Sequence, residues 1–334
     1  MLEAPDLQDV QIIACLETEY GLSTTEIAFL PLGADVNSAV YRVVAGGGDQ
    51  YFLKLRRGDF STGTVTIPHW LATMGMELLI PPIATRTTGA LWAKLDTFII
   101  TLYPFVTGKP GWEVELSHQQ WIEFGAGMNA LHTSVAPPEL VRTIPQESYS
   151  SVWRDRVTAF LEQRADQIFD DPVAAKLTDL LDETCPTIRH IVTQAAQLAE
   201  LLIQQPPEIC LCHGDIHAGN ILIDTTNRLY IVDWDTLVLA PKERDLMFIG
   251  GGVGGVWHKP DEVERFYQGY GQSHINRTAL SYYRYERIVQ DIGETCEKIL
   301  ATEGGGEDRA VMLEQLASQF EPANVVDIAF STKG

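Results

Sequence analysis

The stretch that most limits this chain is CHGDIHAGNILID, residues 212–224, followed after a short turn by LYIVDWD at 229–235. Gly214 and Gly219 disfavour a helix here, because glycine loses the most backbone freedom when it is ordered. The apolar pieces EICLCH, NILID and LYIV instead read as short strands that enclose a polar loop. Within that loop His213 and His217 are four apart, the spacing of two metal ligands on one helical turn, but that reading needs the helix the glycines oppose. A second reading is a polar turn between strands. A third uses more of the residues. Asp215 and Asn220 are five positions apart on a loop that opens into a strand, and Asp233 follows a hairpin at the end of LYIV. Phosphoryl transfer uses such a set: one aspartate orients an acceptor hydroxyl and takes its proton, while an asparagine and a second aspartate hold magnesium against nucleotide phosphates. Oxygen donors are what that hard cation prefers. On this reading Asp215 is the catalytic base, Asn220 and Asp233 are metal ligands, and most of the rate comes from alignment and charge neutralisation.

The surrounding pattern changes along the chain. Residues 7–20 place Val10, Ile13, Ala14 and Leu16 on one helical face, with Gly21 as the stop. EIAFLPLG, SAVYRVVA and QYFLKLR read as strands, the last two joined by a turn at Gly46, Gly47 and Gly48. A short helix is expected over 64–75, with Pro68 limiting where it can begin. ALWAKL and TFIITLYPF complete an antiparallel sheet. After Gly108 the period becomes helical: Trp121, Phe124, Met128 and Leu131 recur at three- and four-residue intervals, and residues 151–204 and 261–301 continue the pattern. The expectation is a sheet-rich part and a helix-rich part with a hinge near 102–108, and no internal repeat.

A chain of 334 residues can bury a sizeable core. Its formal net charge of −21 repels phosphate backbones and anionic lipid and draws cations, which argues against a nucleic-acid partner. The five cysteines lack paired zinc-finger spacing, and Cys210 and Cys212 sit in an apolar run, so they read as reduced structural thiols. The start is acidic, without a secretion signal, and no apolar run is long enough to span a bilayer. A cytoplasmic protein with no membrane partner is expected.

His213-x-Asp215-x-x-x-x-Asn220 followed by IVDWD resembles the catalytic and metal-binding motifs of the aminoglycoside phosphotransferase family, relatives of the protein kinases that include choline and homoserine kinases. PLGADVNSAVYRV, YPF, APKERDLMFIGGGVGGVW and SYYRYERIVQDI further resemble the branch of that family that acts on spectinomycin. The resemblance implies an α+β, bilobal protein-kinase-like fold. Residues 1–105 would form a small nucleotide-binding lobe, an antiparallel sheet with a helix, and residues 106–334 a large, mainly helical lobe for catalysis and acceptor binding. It implies ATP and Mg2+ as cofactors. It also implies that Lys54 in YFLKL reaches the nucleotide phosphates, that the turn LGADVNSA covers the nucleotide through Asn37 and Ser38, and that Tyr103 to Phe105 receive the adenine on their backbone. One feature of the pattern is missing, since no glutamate follows Lys54 before Glu77, and Asp59 is a poor substitute. Gly250, Gly252 and Gly255 formally match a dinucleotide fingerprint but lack its strand-to-helix setting; a close-packed or flexible turn fits better. Arg244 and Asp245 read as a buried structural pair.

Acidic residues near the motif, Asp235, Glu243, Glu286 and Asp291, are the candidate acceptor contacts, with Trp234 and Trp257 as an apolar wall or as core. Together with the net charge they favour a cationic hydroxyl compound, an aminocyclitol or aminoglycoside, and the resemblance puts spectinomycin first. The alternatives are a metabolic kinase of choline, homoserine, an amino sugar or a thio-sugar, and a nucleotide-binding pseudokinase.

Overall fold

The computed structural model describes residues 4–32, 37–163, 169–300 and 306–332. The chain forms two compact units: Met1–Val114 with Val135–Pro145 and Asn220–Leu237, and Glu115–Ser134 with Gln146–Gly219 and Val238–Gly334.

In the first unit α1 (Asp9–Cys15) runs into one π-helical turn, Leu16–Tyr20, and stops at Gly21 with φ +69°. The strands β1 (Thr24–Leu30), β2 (Ser38–Ala45), β3 (Gln50–Arg57), β4 (Ala93–Leu95) and β5 (Phe98–Pro104) form an antiparallel sheet in the order β1-β2-β3-β5-β4. Ile12 and Leu16 of the helical turns share a core with Tyr41, Val43, Leu53, Leu55, Ile100 and Leu102. Because side chains alternate along a strand, burying Leu53 and Leu55 sends Lys54 to the other face. The helix expected near 64–75 is α2 (Gly63–Thr73), and Pro68 lies inside it rather than at its start. The proline cannot donate to the carbonyl four residues back, and the helix, buried through Val65, Ile67 and Leu71, tolerates the lost bond. A second sheet of three strands, β6 (Gly108–Pro110), β8 (Ile221–Asp224) and β9 (Leu229–Ile231), belongs to this unit as well.

The short helix α4 (Pro138–Val141) also belongs to the first unit, and the second unit is mainly helical. Its α3 (His118–Thr133) begins in a capping box between Ser117 and Gln120. It lies against α8 (Pro260–Tyr270) with Gly125 and Gly269 at the contact. A Cβ at Gly125 would stand 2.0 Å from the Phe266 carbonyl oxygen, and one at Gly269 would stand 1.9 Å from that of Ile122. The helices α5 (Val152–Gln163), α6 (Pro172–Gln204), α9 (Arg277–Leu300), α10 (Gly306–Ser318) and α11 (Val325–Ser331) share one apolar core that includes Val157, Leu181, Ile188, Ile288, Ile292 and Val326. Two short strands, β7 (Cys210–Cys212) and β10 (Val238–Ala240), pair antiparallel; the polar loop leaves the end of β7, and α7 (Glu243–Leu246) follows β10. A sheet with a helix in one unit and mainly helices in the other is the α+β arrangement expected from the change of period. Among the described residues no helix is long and apolar enough to cross a membrane.

Candidate active site

On the first unit, β3 presents Lys54 to two carboxylates. Its Nζ lies 2.7 Å from Asp233 Oδ1 and 2.8 Å from Asp235 Oδ2, and Arg56 Nη1 donates to Asp235 at 2.5 Å. Burial works to lower the Lys54 pKa, but the two carboxylates outweigh it and hold the ammonium protonated well above its ordinary range. The charge expected from a helix glutamate is therefore supplied by residues 233 and 235. Asp235, read from sequence only as an acceptor contact, is part of this cluster; the D-x-D spacing around Trp234 was the available signal.

Asn220 and Asp233 are brought to one end of the β8–β9 hairpin. Ile221 pairs with Ile231, and one step beyond the ladder the Val232 N–H donates to the Asn220 carbonyl at 2.9 Å. Asp233 then adopts a left-handed backbone, φ +61°, at the start of the 3-10 turn Trp234–Thr236. Non-glycine residues rarely take that conformation, and aspartate tolerates it better than most. Trp234 is buried and donates its indole N–H to the Ile231 carbonyl at 3.1 Å, so it serves the core of the turn. Oxygen donors of an asparagine and an aspartate at one hairpin end suit a hard cation such as Mg2+.

Other nucleotide candidates are placed as follows. The Asn37 carbonyl accepts from the Arg57 N–H at 2.8 Å, and Ser38 pairs across the sheet with Arg56. The preceding part of that turn, residues 33–36, lies outside the described residues. Tyr103 stands opposite Phe52, edge to face at 6.4 Å, and the Phe105 N–H donates to the Gln50 carbonyl at 3.1 Å. That donor is thus engaged in the sheet.

Asp215 belongs to the second unit. The loop that carries it is held through its backbone by Asp245, whose buried carboxylate accepts the His213 N–H at 2.8 Å and the Gly214 N–H at 2.7 Å, with His132 Nε2 3.0 Å away. Burial raises the Asp245 pKa, and these donors more than offset it, leaving the carboxyl below its ordinary range. Arg244 donates from Nε to the Gly214 carbonyl at 3.1 Å. The expected Arg244–Asp245 pair is therefore corrected: the two residues brace the same glycine from its carbonyl and its amide side. Gly214 takes φ +89°, a conformation that favours glycine, which explains its place beside the aspartate.

The Asp215 carboxylate accepts from Arg287 Nη1 at 2.5 Å, and His217 Nε2 lies 3.5 Å away. Burial alone would raise its pKa; Arg287 and then His217 outweigh burial and lower it. Arg287 also pairs with Asp291 at 2.8 Å and lies over the Phe248 ring at 5.4 Å. Arg287 was not singled out from sequence. The two loop histidines accept local amides, His213 Nδ1 from Asp215 at 3.4 Å and His217 Nδ1 from Gly219 at 3.0 Å, so their ring nitrogens shape the loop.

The remaining acceptor candidates each have a partner within the second unit. Glu243 is buried and accepts the Asn276 N–H at 2.8 Å; Glu286 is buried against Arg154; Asp291 accepts from Gln319 at 2.8 Å besides pairing with Arg287. Burial raises the pKa of both Glu286 and Asp291, with Arg154 and Arg287 respectively opposing it. Trp257 packs in the core, 5.5 Å from Trp121 and 5.4 Å from Phe124. The glycine run forms a turn in which Gly250, Gly252, Gly254 and Gly255 all have φ between +71° and +74°, and a Cβ at Gly251 would meet the Met247 carbonyl oxygen at 2.2 Å. The turn is close-packed at Gly250 to Gly252, whereas Gly254 and Gly255 face open space.

A lysine–aspartate cluster in a sheet-bearing unit and an aspartate loop fixed within a helical unit are the features of a phosphotransferase of protein-kinase-like fold. Residues 28–283 match the model of the phosphotransferase enzyme family, and the chain belongs to that family, among the aminoglycoside phosphotransferases and their relatives. The structure is similar to a crystal structure of spectinomycin phosphotransferase in complex with ADP and spectinomycin, with a TM-score of 0.91 and 36% identity over 98% of this chain and 99% of that one. It is also similar to an AMP-bound complex of spectinomycin phosphotransferase, with a TM-score of 0.87 and 34% identity over 98% of this chain and 100% of that one. An aminoglycoside 3'-phosphotransferase of Streptomyces ribosidificus is 31% identical over 94 residues, 26% of this chain; the match spans 36% of that curated relative's length.

Proposed function

We propose that the protein transfers the γ-phosphate of ATP, with Mg2+, to a hydroxyl of a cationic aminocyclitol or aminoglycoside, spectinomycin first, and does so in the cytoplasm. Residues 1–105 would serve as the nucleotide-binding lobe and 106–334 as the lobe for catalysis and the acceptor. The observation that carries the nucleotide side is the Lys54–Asp233 pair at 2.7 Å beside the hairpin end that bears Asn220. The acceptor side rests on the full-length likeness to a spectinomycin phosphotransferase.

In this reading Asn220 and Asp233 hold the magnesium, which when bound neutralises phosphate charge. Lys54, kept protonated, turns its ammonium to the phosphates, and Asn37, Ser38, Tyr103 and Phe105 line the nucleotide. Asp215 aligns the acceptor hydroxyl and takes its proton as the oxygen–phosphorus bond forms and the bond to the leaving ADP oxygen breaks. Its lowered pKa makes it a weak base, which suits a loose transition state in which the proton moves late and alignment matters most. Asp235, Glu243, Glu286 and Asp291 remain the candidate contacts for the acceptor's ammonium groups.

One observation favours a metabolic kinase instead. Glu243, Glu286 and Asp291 already have partners within the chain, so they leave less unanswered charge for a multiply charged antibiotic than for a singly charged or neutral alcohol. A coupled assay of ADP release across spectinomycin, aminoglycosides, choline, homoserine and sugars separates the readings. Magnesium-dependent release stimulated by spectinomycin supports the proposal, and release only with a small alcohol supports the metabolic kinase. Nucleotide binding with no turnover on any of them identifies a pseudokinase.

A further inference from the structure

His132, Cys210 and Cys212, all in the second unit, offer three ligand atoms that lie within 4.8 Å of one another, whereas Asn220 and Asp233 belong to the first unit. Cys210 and Cys212 are alternate residues of β7, so both thiols leave the strand on the same side. Their sulfur atoms are 3.7 Å apart. Two thiolates bound to one tetrahedral ion at about 2.3 Å each would be separated by about 3.8 Å, so the strand already holds them at the required spacing.

The histidine is prepared in the same sense. Asp245 faces its Nε2 at 3.0 Å and the Tyr270 hydroxyl faces its Nδ1 at 2.8 Å. A carboxylate on one ring nitrogen keeps the proton there and leaves the other nitrogen a lone pair, the arrangement that orients metal-bound histidines. The Tyr270 hydroxyl, 2.8 Å away, donates to that lone pair and would turn aside when an ion binds. We propose that His132, Cys210 and Cys212 form a structural site for one thiophilic divalent ion of the zinc class.

Charge and chemistry agree with this assignment. On binding, each thiol loses its proton to solvent, and two thiolates cancel the two charges of the ion, so the buried site gains no net charge. Sulfur and imidazole donors select zinc or cadmium over magnesium, which keeps this site distinct from the one at Asn220 and Asp233. Cys212 directly precedes His213, and His132 holds the carboxylate that anchors the His213 and Gly214 amides. An ion here would tie α3 and β7 to the start of the catalytic loop.

The test uses the full-length protein, treated with chelator and titrated with cadmium, a spectroscopic stand-in for zinc. The expected result is a thiolate-to-cadmium charge-transfer band that saturates at one equivalent, together with a rise in Tm, because ligation of the native state alone stabilises it. Native mass spectrometry with zinc should show one added ion less two protons. Cys210→Ala, at a partly exposed position, should lose the band and the Tm rise while ADP release is retained. A wild-type protein that shows no band and no zinc adduct overturns the proposal. So does a Cys210→Ala variant that gives the same band, since the ion would then sit on Cys15, Cys185 or Cys296. Should Cys210→Ala fold poorly, Cys210→Ser, which keeps the side chain's size and lacks the thiolate, reads the same loss of the band.

Discussion

At the scale of single residues, the chemistry turns on how each carboxylate is answered. Asp215→Asn keeps shape and removes the proton acceptor. Turnover is expected to fall by about 10²–10⁴-fold, the range for loss of a positioned base, while nucleotide affinity stays within about twofold, as a nucleotide titration beside steady-state kinetics would show. Full activity in this variant would remove Asp215 from its role. Arg287 lowers the Asp215 pKa, and the proposed base works ionised, so activity is expected to be lost as pH falls through that low value. Arg287→Gln takes away a nearby positive charge and raises the pKa, so the acidic limb of the pH–rate profile should move to higher pH; an unmoved limb would mean that Arg287 does not set the ionisation. Asp215, Asn220, Asp233 and Lys54 could be proposed from sequence because they lie in short runs whose spacing the proposed chemistry dictates. Arg287 was not, because it lies 72 positions from Asp215 and only folding brings the two together. The same distance effect hid the answer to Lys54, which comes from residues 179 and 181 positions further along.

At the scale of elements, alternation and helical period conveyed most of the architecture. The strands around Lys54 follow from buried Leu53 and Leu55, and the change of period after Gly108 marks where helices begin. What periodicity does not show is how closely two helices approach. Gly125 and Gly269 stood in the sequence as ordinary helix-weakening residues, yet a methyl group at either would run into a carbonyl of the opposite helix. Gly125→Ala would raise helix propensity in isolation. Here overpacking should dominate and cost about 1–3 kcal/mol, read as a lower denaturation midpoint, and an unchanged midpoint would show that α3 and α8 can part without cost. The polar loop is another case: the sequence marked its residue types, but the use of Asp245 as an anchor for two backbone amides is a tertiary fact that no local pattern encodes.

At the scale of the whole molecule, net charge is the property that spacing arguments cannot replace. A formal charge of −21 should raise the local concentration of a cationic acceptor, and dissolved salt screens that field over about 10 Å at 0.1 M. The KM for a cationic acceptor is therefore expected to rise several-fold between low and moderate ionic strength, while that for an uncharged alcohol should barely change. Equal salt dependence for both would assign the acidity to solubility. The family and the fold were legible over nearly the full length because the family's motifs sit in fixed order along the chain; the acceptor was not, because it depends on which acids are already paired. The cluster of Lys54, Arg56, Asp233 and Asp235 has a last consequence for recombination. Its two cations and two anions lie far apart in the gene, so a crossover anywhere between codons 57 and 232 gives a chimaera whose halves were never matched in charge. Shuffling with relatives should yield working hybrids when those four positions come from one parent.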